Sequence, residues 1–280
     1  MRTWFITGVS SGFGKAIAVA ALAAGDTVAG SLRRIEDCAA FEALAPGQAL
    51  GILLDVTQDD AIQPAVQRIQ REIGPIDILV NNAGYGHEGL VEESSLDDLR
   101  RQFDVNVFGA VAVIKAVLPQ MRERRRGHIL NITSMGGMMT LPGLAYYHGS
   151  KFALEGISES LGKEVKHLGI HVTAVEPGSF RTDWAGRSMV RSPRSIADYD
   201  QLMDPIRQRR EALSGHQAGD PALLAAAIIR LVAAQDPPAH LLLGSDALRL
   251  VSEKLADLQA EFSAWRSVTE STDFPVPSVS

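Results

Sequence analysis

A short apolar run, Trp4-Phe5-Ile6, leads directly into Thr7-Gly8-Val9-Ser10-Ser11-Gly12-Phe13-Gly14, and a helical pattern begins at Lys15. A strand that passes through a glycine-rich turn into a helix is the opening unit of a parallel sheet, since parallel pairing requires a crossover before the next strand. Glycines in such a turn let the backbone approach a pyrophosphate, and the helix start supplies unpaired N–H groups and a partial positive charge. The same residues also make a tight turn without any ligand, so the rest of the chain has to decide between the two.

Beyond this unit, short apolar runs alternate with longer amphipathic segments, the pattern of a parallel sheet covered by helices. A helix over 15–24 stops at Gly25, and strands are predicted at 4–7, 27–31, 52–54, 78–80, 128–132, 171–175 and 241–243. The fold class is therefore α/β, a doubly wound parallel sheet of Rossmann type with about seven strands, in one domain spanning 1–280. After the sixth strand the pattern changes. Residues 184–217 are rich in Arg, Ser, Gly, Asp and Pro, with one short helical signal at 204–213, and are read as a lid-like insertion, since a long irregular stretch in a compact domain is usually functional. Helices return at 222–234 and 247–265, and the tail 267–280, with Pro275 and Pro277, has little to bury and should be loosely held.

Composition narrows the function. With 46% hydrophobic and 21% charged residues the chain is ordinary globular material, and no apolar run has the length of a bilayer span. The first residues carry no secretory pattern, which points to a cytoplasmic protein. A net charge of −6 opposes nucleic-acid binding, and the Arg124-Arg125-Arg126 run reads as the solvated end of a helix. Cys38 is the single cysteine, so no internal disulfide and no cysteine-based zinc site is available; it reads as a packing residue, and no metal is called for.

Three further patterns carry chemistry. Asn81-Asn82-Ala83-Gly84 follows the fourth strand, where ligands of open parallel sheets lie, although Asn and Gly also suit a plain turn. Tyr147 and Lys151 stand four residues apart on one helix face; the positive charge favours a phenolate and lowers the phenol pKa, as acid–base work on an alcohol needs. Tyr146 competes, but four residues on from it stands Ser150. Ser134 closes the fifth strand, where its hydroxyl either donates to a substrate oxygen or caps a turn. Asn106 lies in a helical pattern that disfavours Asn, and reads either as functional or as a satisfied buried amide.

In this order the motifs resemble the short-chain dehydrogenase/reductase family over about the first 185 residues, with an overall look similar to its retinol and hydroxysteroid dehydrogenase branch. The resemblance implies Tyr147, Lys151, Ser134 and Asn106 as the catalytic set: Tyr147 moves the proton, Lys151 tunes Tyr147 and holds the nicotinamide ribose, Ser134 orients the carbonyl, and Asn106 fixes a relay water. It implies cofactor contacts from Gly8, Ser10, Ser11, Gly12, Phe13, Gly14, Asp55, Val56, Asn81, Ala83, Gly84, Tyr147, Lys151, Pro177, Gly178, Phe180 and Thr182. Where NAD enzymes place an acid after the second strand this chain has Arg33, which suits a 2′-phosphate, so NADP is favoured over NAD. Met135, Met138, Met139 and Leu141, with Trp184, Met189 and Val190 from the insertion, suggest an adaptable apolar wall for a bulky carbonyl or alcohol substrate. The resemblance also implies a homodimer or homotetramer built on helices around 99–121 and 151–166. A nicotinamide-binding sensor without turnover is the rival reading, and the presence of both Tyr147 and Lys151 counts against it.

Overall fold

The computed structural model describes residues 1–182, 186, 188–213 and 215–274. In chain order the elements are β1 (Thr3–Ile6), α1 (Gly12–Ala23), β2 (Thr27–Leu32), α2 (Ile35–Glu42), β3 (Ala49–Leu53), α3 (Asp59–Glu72), β4 (Ile78–Asn81), β5 (Gly86–Glu88), α4 (Leu96–Phe103), α5 (Ala110–Arg124), β6 (Gly127–Ile132), α6 (Ala145–Val165), β7 (Ile170–Pro177), β8 (Met189–Arg191), α7 (Asp200–Leu213), α8 (Pro221–Leu231), β9 (His240–Leu243), α9 (Ser245–Ala264) and α10 (Arg266–Glu270). Seven strands pair in the order β3-β2-β1-β4-β6-β7-β9, every pair parallel. This is the doubly wound Rossmann-type sheet that the alternation predicts.

The two-residue period of the strands divides the core. Phe5, Leu79 and Ile129 point to one side and pack against Ile69 of α3, Val113 and Val117 of α5, and Leu161 of α6. Their neighbours Trp4, Ile6, Val80 and Leu130 point to the other side, against Ile17 and Ala21 of α1, Phe41 of α2, and Ile228 of α8. Cys38 is buried in that second layer, the packing role expected of it. The chain reverses its direction of sheet growth between β1 and β4, so the turns after these two strands face one crevice.

Four features depart from the sequence reading. α4, a π-helical turn at Asp104–Gly109 and α5 form one helix, Leu96–Arg124, which by length and composition alone is long and apolar enough to cross a membrane. Its Asn106, Val113, Val117 and Met121 are buried against the sheet and neighbouring helices, so its apolar face is a core face. The helix ends on Arg125 at φ 54°, and Arg124 and Arg126 converge on Asp77 at 2.9 and 2.8 Å, which ties the arginine run down more firmly than a solvated end. The tail continues as helix through Glu270, although α10 is exposed along its length.

The fourth departure concerns the insertion. Trp184 lies outside the described residues, but most of the remainder is anchored, and the anchors are polar. β8 pairs in parallel with β5, forming a two-stranded sheet that no sequence pattern predicts. Glu88 of β5, only 2% exposed, meets Arg207 at 3.2 Å and Arg210 at 3.3 Å from α7, with Arg191 at 3.8 Å. Glu93 accepts from the backbone N–H groups of Ser195 and Ile196 at 2.7 and 2.8 Å and pairs with Arg194 at 3.2 Å. Met203, the one fully buried residue of α7 among those described, sits against Gly143.

Because Glu88 is buried and its arginines are partly so, Glu88→Ala should cost about 3 kcal/mol through unpaired cations. Limited proteolysis should then cut within 188–213 much faster than in the wild type, while a matching rate would show that the latch is not ionic.

Candidate active site

The crevice at the sheet's reversal is built around Thr7. Its hydroxyl accepts from the backbone N–H groups of Asn82 and Ala83, both at 2.9 Å, and the Asn82 side chain donates to the carbonyls of Thr7 and Gly8 at 2.9 and 3.0 Å. The glycine loop and the Asn-Asn-Ala-Gly turn are thus one hydrogen-bonded unit. Gly8 and Gly12 have φ of +73° and +57°, which favour glycine. A Cβ on Gly14 would lie 2.2 Å from the Gly8 carbonyl oxygen. Gly8 N–H donates to the Ser31 hydroxyl at 2.9 Å, fixing the loop to β2.

The helix start is left open. Ser11 occupies the position before α1 with no side-chain cap, so α1 presents its N–H groups without a protein acceptor in the usual place. Ser10 is exposed beside it. From the far side the segment after β7 closes over the loop: Phe180 meets Phe13 edge to face at 5.3 Å, and Thr182 is the nearest neighbour of a Cβ placed on Gly12. Pro177 ends β7, and Asp246 sits tightly against Gly178 while accepting from Ser179 N–H at 2.8 Å. An open helix start, a backbone that only glycine fits and a covering aromatic match the pyrophosphate half of a dinucleotide. Asp55 is half-buried and accepts from Thr57 twice through one oxygen, and Val56 is buried against Gly109. After β2, Arg34 is tied to Glu36 and Asp37, whereas Arg33 is exposed and makes no ion pair among the described residues.

Tyr147 and Lys151 rise from α6 toward the same crevice. Tyr147 packs with Leu144 and Met189, and its hydroxyl faces Ser134, which stands just past β6. Tyr146 is engaged elsewhere: its ring stacks on His87 at 5.2 Å and its hydroxyl donates to the Ser94 carbonyl. Lys151 donates to the Ile132 carbonyl at 2.8 Å, and its ammonium lies 5.9 Å from the centroid of the Tyr147 ring. Burial pushes the Tyr147 phenol up to about 12, with the Ser134 hydroxyl opposing, and pushes Lys151 down to about 8, with Glu155 opposing. The lowered phenol expected from helix spacing is thus corrected to a raised one. The ammonium is bound to a carbonyl and faces the ring, while both groups sit in a poorly solvated place.

The Asn106 side chain is engaged within the protein. Its amide donates to the Tyr85 carbonyl and to the Ser150 hydroxyl, both at 3.1 Å, and accepts from Tyr85 N–H at 3.1 Å. The side chain joins three elements as a satisfied buried amide, one of the two readings the sequence left open. Asn81 likewise donates to Asn131 at 2.9 Å, which donates to Ser158 at 2.7 Å, so its side chain braces the sheet beneath the crevice rather than lining it. Gly84 lies against Asn106, and Ala83 holds the Thr7 contact.

Sequence reasoning missed Thr7, Asn82, Ser31 and His148. Buried His148 binds the Gly136 carbonyl through Nδ1 at 2.7 Å and accepts from Leu141 N–H at 2.9 Å through Nε2, which pins the loop carrying Ser134 onto α6. Burial lowers its pKa, consistent with a neutral ring in that role. Met139 is buried in the core, while Met189 packs with Tyr147 and Leu144. An apolar depression of about 680 Å³ over Leu90, Val91, Leu141, Pro142 and Phe152 lies beside the site and includes neither Tyr147 nor Ser134.

Comparison with known proteins agrees with this geometry. Residues 2–190 match the family model of short chain dehydrogenases. An oxidoreductase, BOA17, of Botryotinia fuckeliana is 36% identical over 96% of this chain and 98% of its own. The 3-ketodihydrosphingosine reductase of Bacteroides thetaiotaomicron is 37% identical over 83% and 84% of the two chains. The crystal structure of a short-chain dehydrogenase from Streptomyces avermitilis superposes with a TM-score of 0.91 at 40% identity, covering 98% of this chain and all of that one.

Gly14→Ala tests the cradle. The methyl would meet backbone that cannot move without opening the Thr7–Asn82 unit, a cost of about 1 to 3 kcal/mol. Calorimetric titration should show dinucleotide binding lost alongside a lower Tm, and retained affinity would exclude this loop as the binding element.

Proposed function

This chain belongs to the short-chain dehydrogenase family of nicotinamide-dependent oxidoreductases, and we propose that it interconverts an apolar ketone or aldehyde and its alcohol with NADP(H), Tyr147 moving the proton. The observation that carries this is the placement of the Tyr147 hydroxyl facing Ser134, with Lys151 one helical turn away, beside a crevice whose other wall is an open helix start. When bound, the nicotinamide supplies or takes the hydride.

The chain's own groups account for the rest. Ser134 and Tyr147 hydroxyls converge on one point, where a carbonyl oxygen would accept from both. With the phenol raised to about 12 it is protonated at neutral pH, the state that donates to a developing alkoxide; the lysine, at about 8, is still largely charged. These protonation states suit reduction, and the reverse reaction gains as pH rises. Asn106, in this reading, acts by holding Tyr85 and Ser150 and hence the start of α6.

Arg33 supports NADP, since Arg34 is already occupied and Arg33 is not. Met189 on the phenol supports an apolar substrate, with residues 184–217 as the pocket's cover. The retained Tyr147, Lys151 and Ser134 favour an enzyme over a sensor. Exposed Phe108 and Phe152, on the helices around 99–121 and 151–166, support a homodimer or homotetramer on that face.

Tyr147→Phe should lower kcat for ketone reduction by about two to four decades with cofactor affinity nearly unchanged. Lys151→Ala should lower both, and Tyr146→Phe neither. Activity surviving in Tyr147→Phe and lost in Tyr146→Phe would transfer the role to the neighbouring phenol.

NADPH should bind about 10- to 100-fold more tightly than NADH, and Arg33→Ala should abolish the difference. Fluorescence titration of both cofactors reads this directly, and equal wild-type affinities would remove the NADP assignment.

A further inference from the structure

One helical turn beyond Lys151, α6 places Glu155 beneath the crevice, 6% exposed. It meets Glu176, the penultimate residue of β7 and 1% exposed, and His240, the first residue of β9. His240 Nδ1 is 2.8 Å from Glu176 Oε1 and 3.5 Å from Glu155 Oε2, and one ligand atom from each of the three lies within 4.8 Å of the others. The His240 side chain is 39% exposed, so the cluster runs from the protein's interior to solvent.

Both Glu155 oxygens lack a well-aligned donor. The hydroxyl of Thr133, which faces Glu155, already donates to the Val175 carbonyl at 2.8 Å. Two buried carboxyl groups in contact cannot both ionise cheaply, so they share a proton, and a shared proton satisfies oxygens that are otherwise orphaned. Next in line is Lys151, whose ammonium is bonded to Ile132, the residue before Thr133.

We propose that Glu155, Glu176 and His240 form a proton-holding cluster, through which Glu155 acts as a positioning residue that sets the charge of Lys151. The inference rests on Lys151 serving the reaction as described above.

The groups facing Glu155 account for its behaviour. Lys151 faces it from its own helix, Glu176 from β7 and His240 from β9; the residue after β6 contributes the uncharged Thr133, and the turn at Met135–Gly137 contributes Gly137, packed on the carboxylate stem. Glu159, one turn further along α6, faces His240. Burial holds the Glu155 carboxyl near 7 and raises Glu176, while for His240 the burial effect is outweighed by the two carboxylates, which raise it. Near neutral pH the cluster therefore changes charge. Ionised, Glu155 stabilises the Lys151 ammonium; protonated, it withdraws that support.

The charge on Glu155 fixes the direction of the effect. Glu155→Gln removes a negative charge beside Lys151, lowers the lysine's pKa further below its ordinary value, and moves the basic limb of kcat/KM to lower pH by roughly one unit. Glu155→Asp keeps the charge and should restore the limb. A second readout needs no turnover. Because the folded-state pKa of Glu155 lies above its unfolded value, its stabilising contribution is complete below about 4.5 and is lost as pH rises through 7. The Tm of the cofactor-free wild type, relative to Glu155→Gln, should fall across that window.

The experiment is a set of pH profiles of kcat/KM and of cofactor-free Tm for wild type, Glu155→Gln and Glu155→Asp, with Tyr147→Phe alongside. Should the Gln variant fail to fold, Glu155→Ala removes the same charge without crowding and takes its place. A shifted basic limb in the neutral variant, restored by Asp, supports the proposal. An unmoved limb and parallel Tm profiles, with Tyr147→Phe inactive, overturn it and leave the functional reading intact. An active Tyr147→Phe overturns both.

Discussion

The seam between Thr7 and Asn82 is the contact on which the rest of the crevice depends. β1 and β4 are neighbours in the sheet, but their outgoing chains diverge to opposite faces, and a gap opens between them as in any doubly wound sheet. One hydroxyl and one amide bridge that gap with four hydrogen bonds of 2.9 to 3.0 Å. Every later feature takes its position from this seam. The glycine loop is held open at the start of α1, the Asn-Asn-Ala-Gly turn is held against Asn106, and Asn106 in turn fixes Ser150 on the helix that carries Tyr147.

Much of this was legible in the sequence because it depends on local periodicity. Seven strands were marked by apolar runs, and the glycine loop by its place between a strand and a helix. Counting four residues ahead selects Tyr147 over Tyr146, and in the structure Tyr146 is engaged by Ser94 and His87. The roles that remained hidden are those set by distant partners. Nothing in the sequence tells Asn81, which turns inward to Asn131, from Asn82, which holds the loop. Glu88 and its arginines lie more than a hundred residues apart, so the ionic anchoring of the insertion leaves no periodic trace. β5 and β8, three residues each, are too short for any pattern to register.

The phenol's protonation shows the same division. Spacing alone brings a cation within reach of Tyr147, and Coulomb attraction then argues for a phenolate. Tertiary packing decides otherwise, because it removes water from both groups and engages the ammonium with a backbone carbonyl. The magnitude of desolvation is not encoded at any single position; it comes from the whole of α6, β6 and the covering Met189 closing together.

The π-helical turn at Asp104–Gly109 has a bearing on how this scaffold tolerates change in length. A helix that accommodates one surplus residue in a widened turn shifts everything before it by about 100° relative to everything after it. Here that offset lets Asn106 reach Tyr85 while Val113, Val117 and Met121 still face the sheet. Shortening this stretch by one residue would regularise the helix and look harmless by helix propensity, yet it would rotate α4 away from the start of α6. The residue count of this turn is therefore fixed by the packing on both sides of it, as are Asn106, which holds Tyr85 and Ser150, and Gly109, which lies tight against Val56.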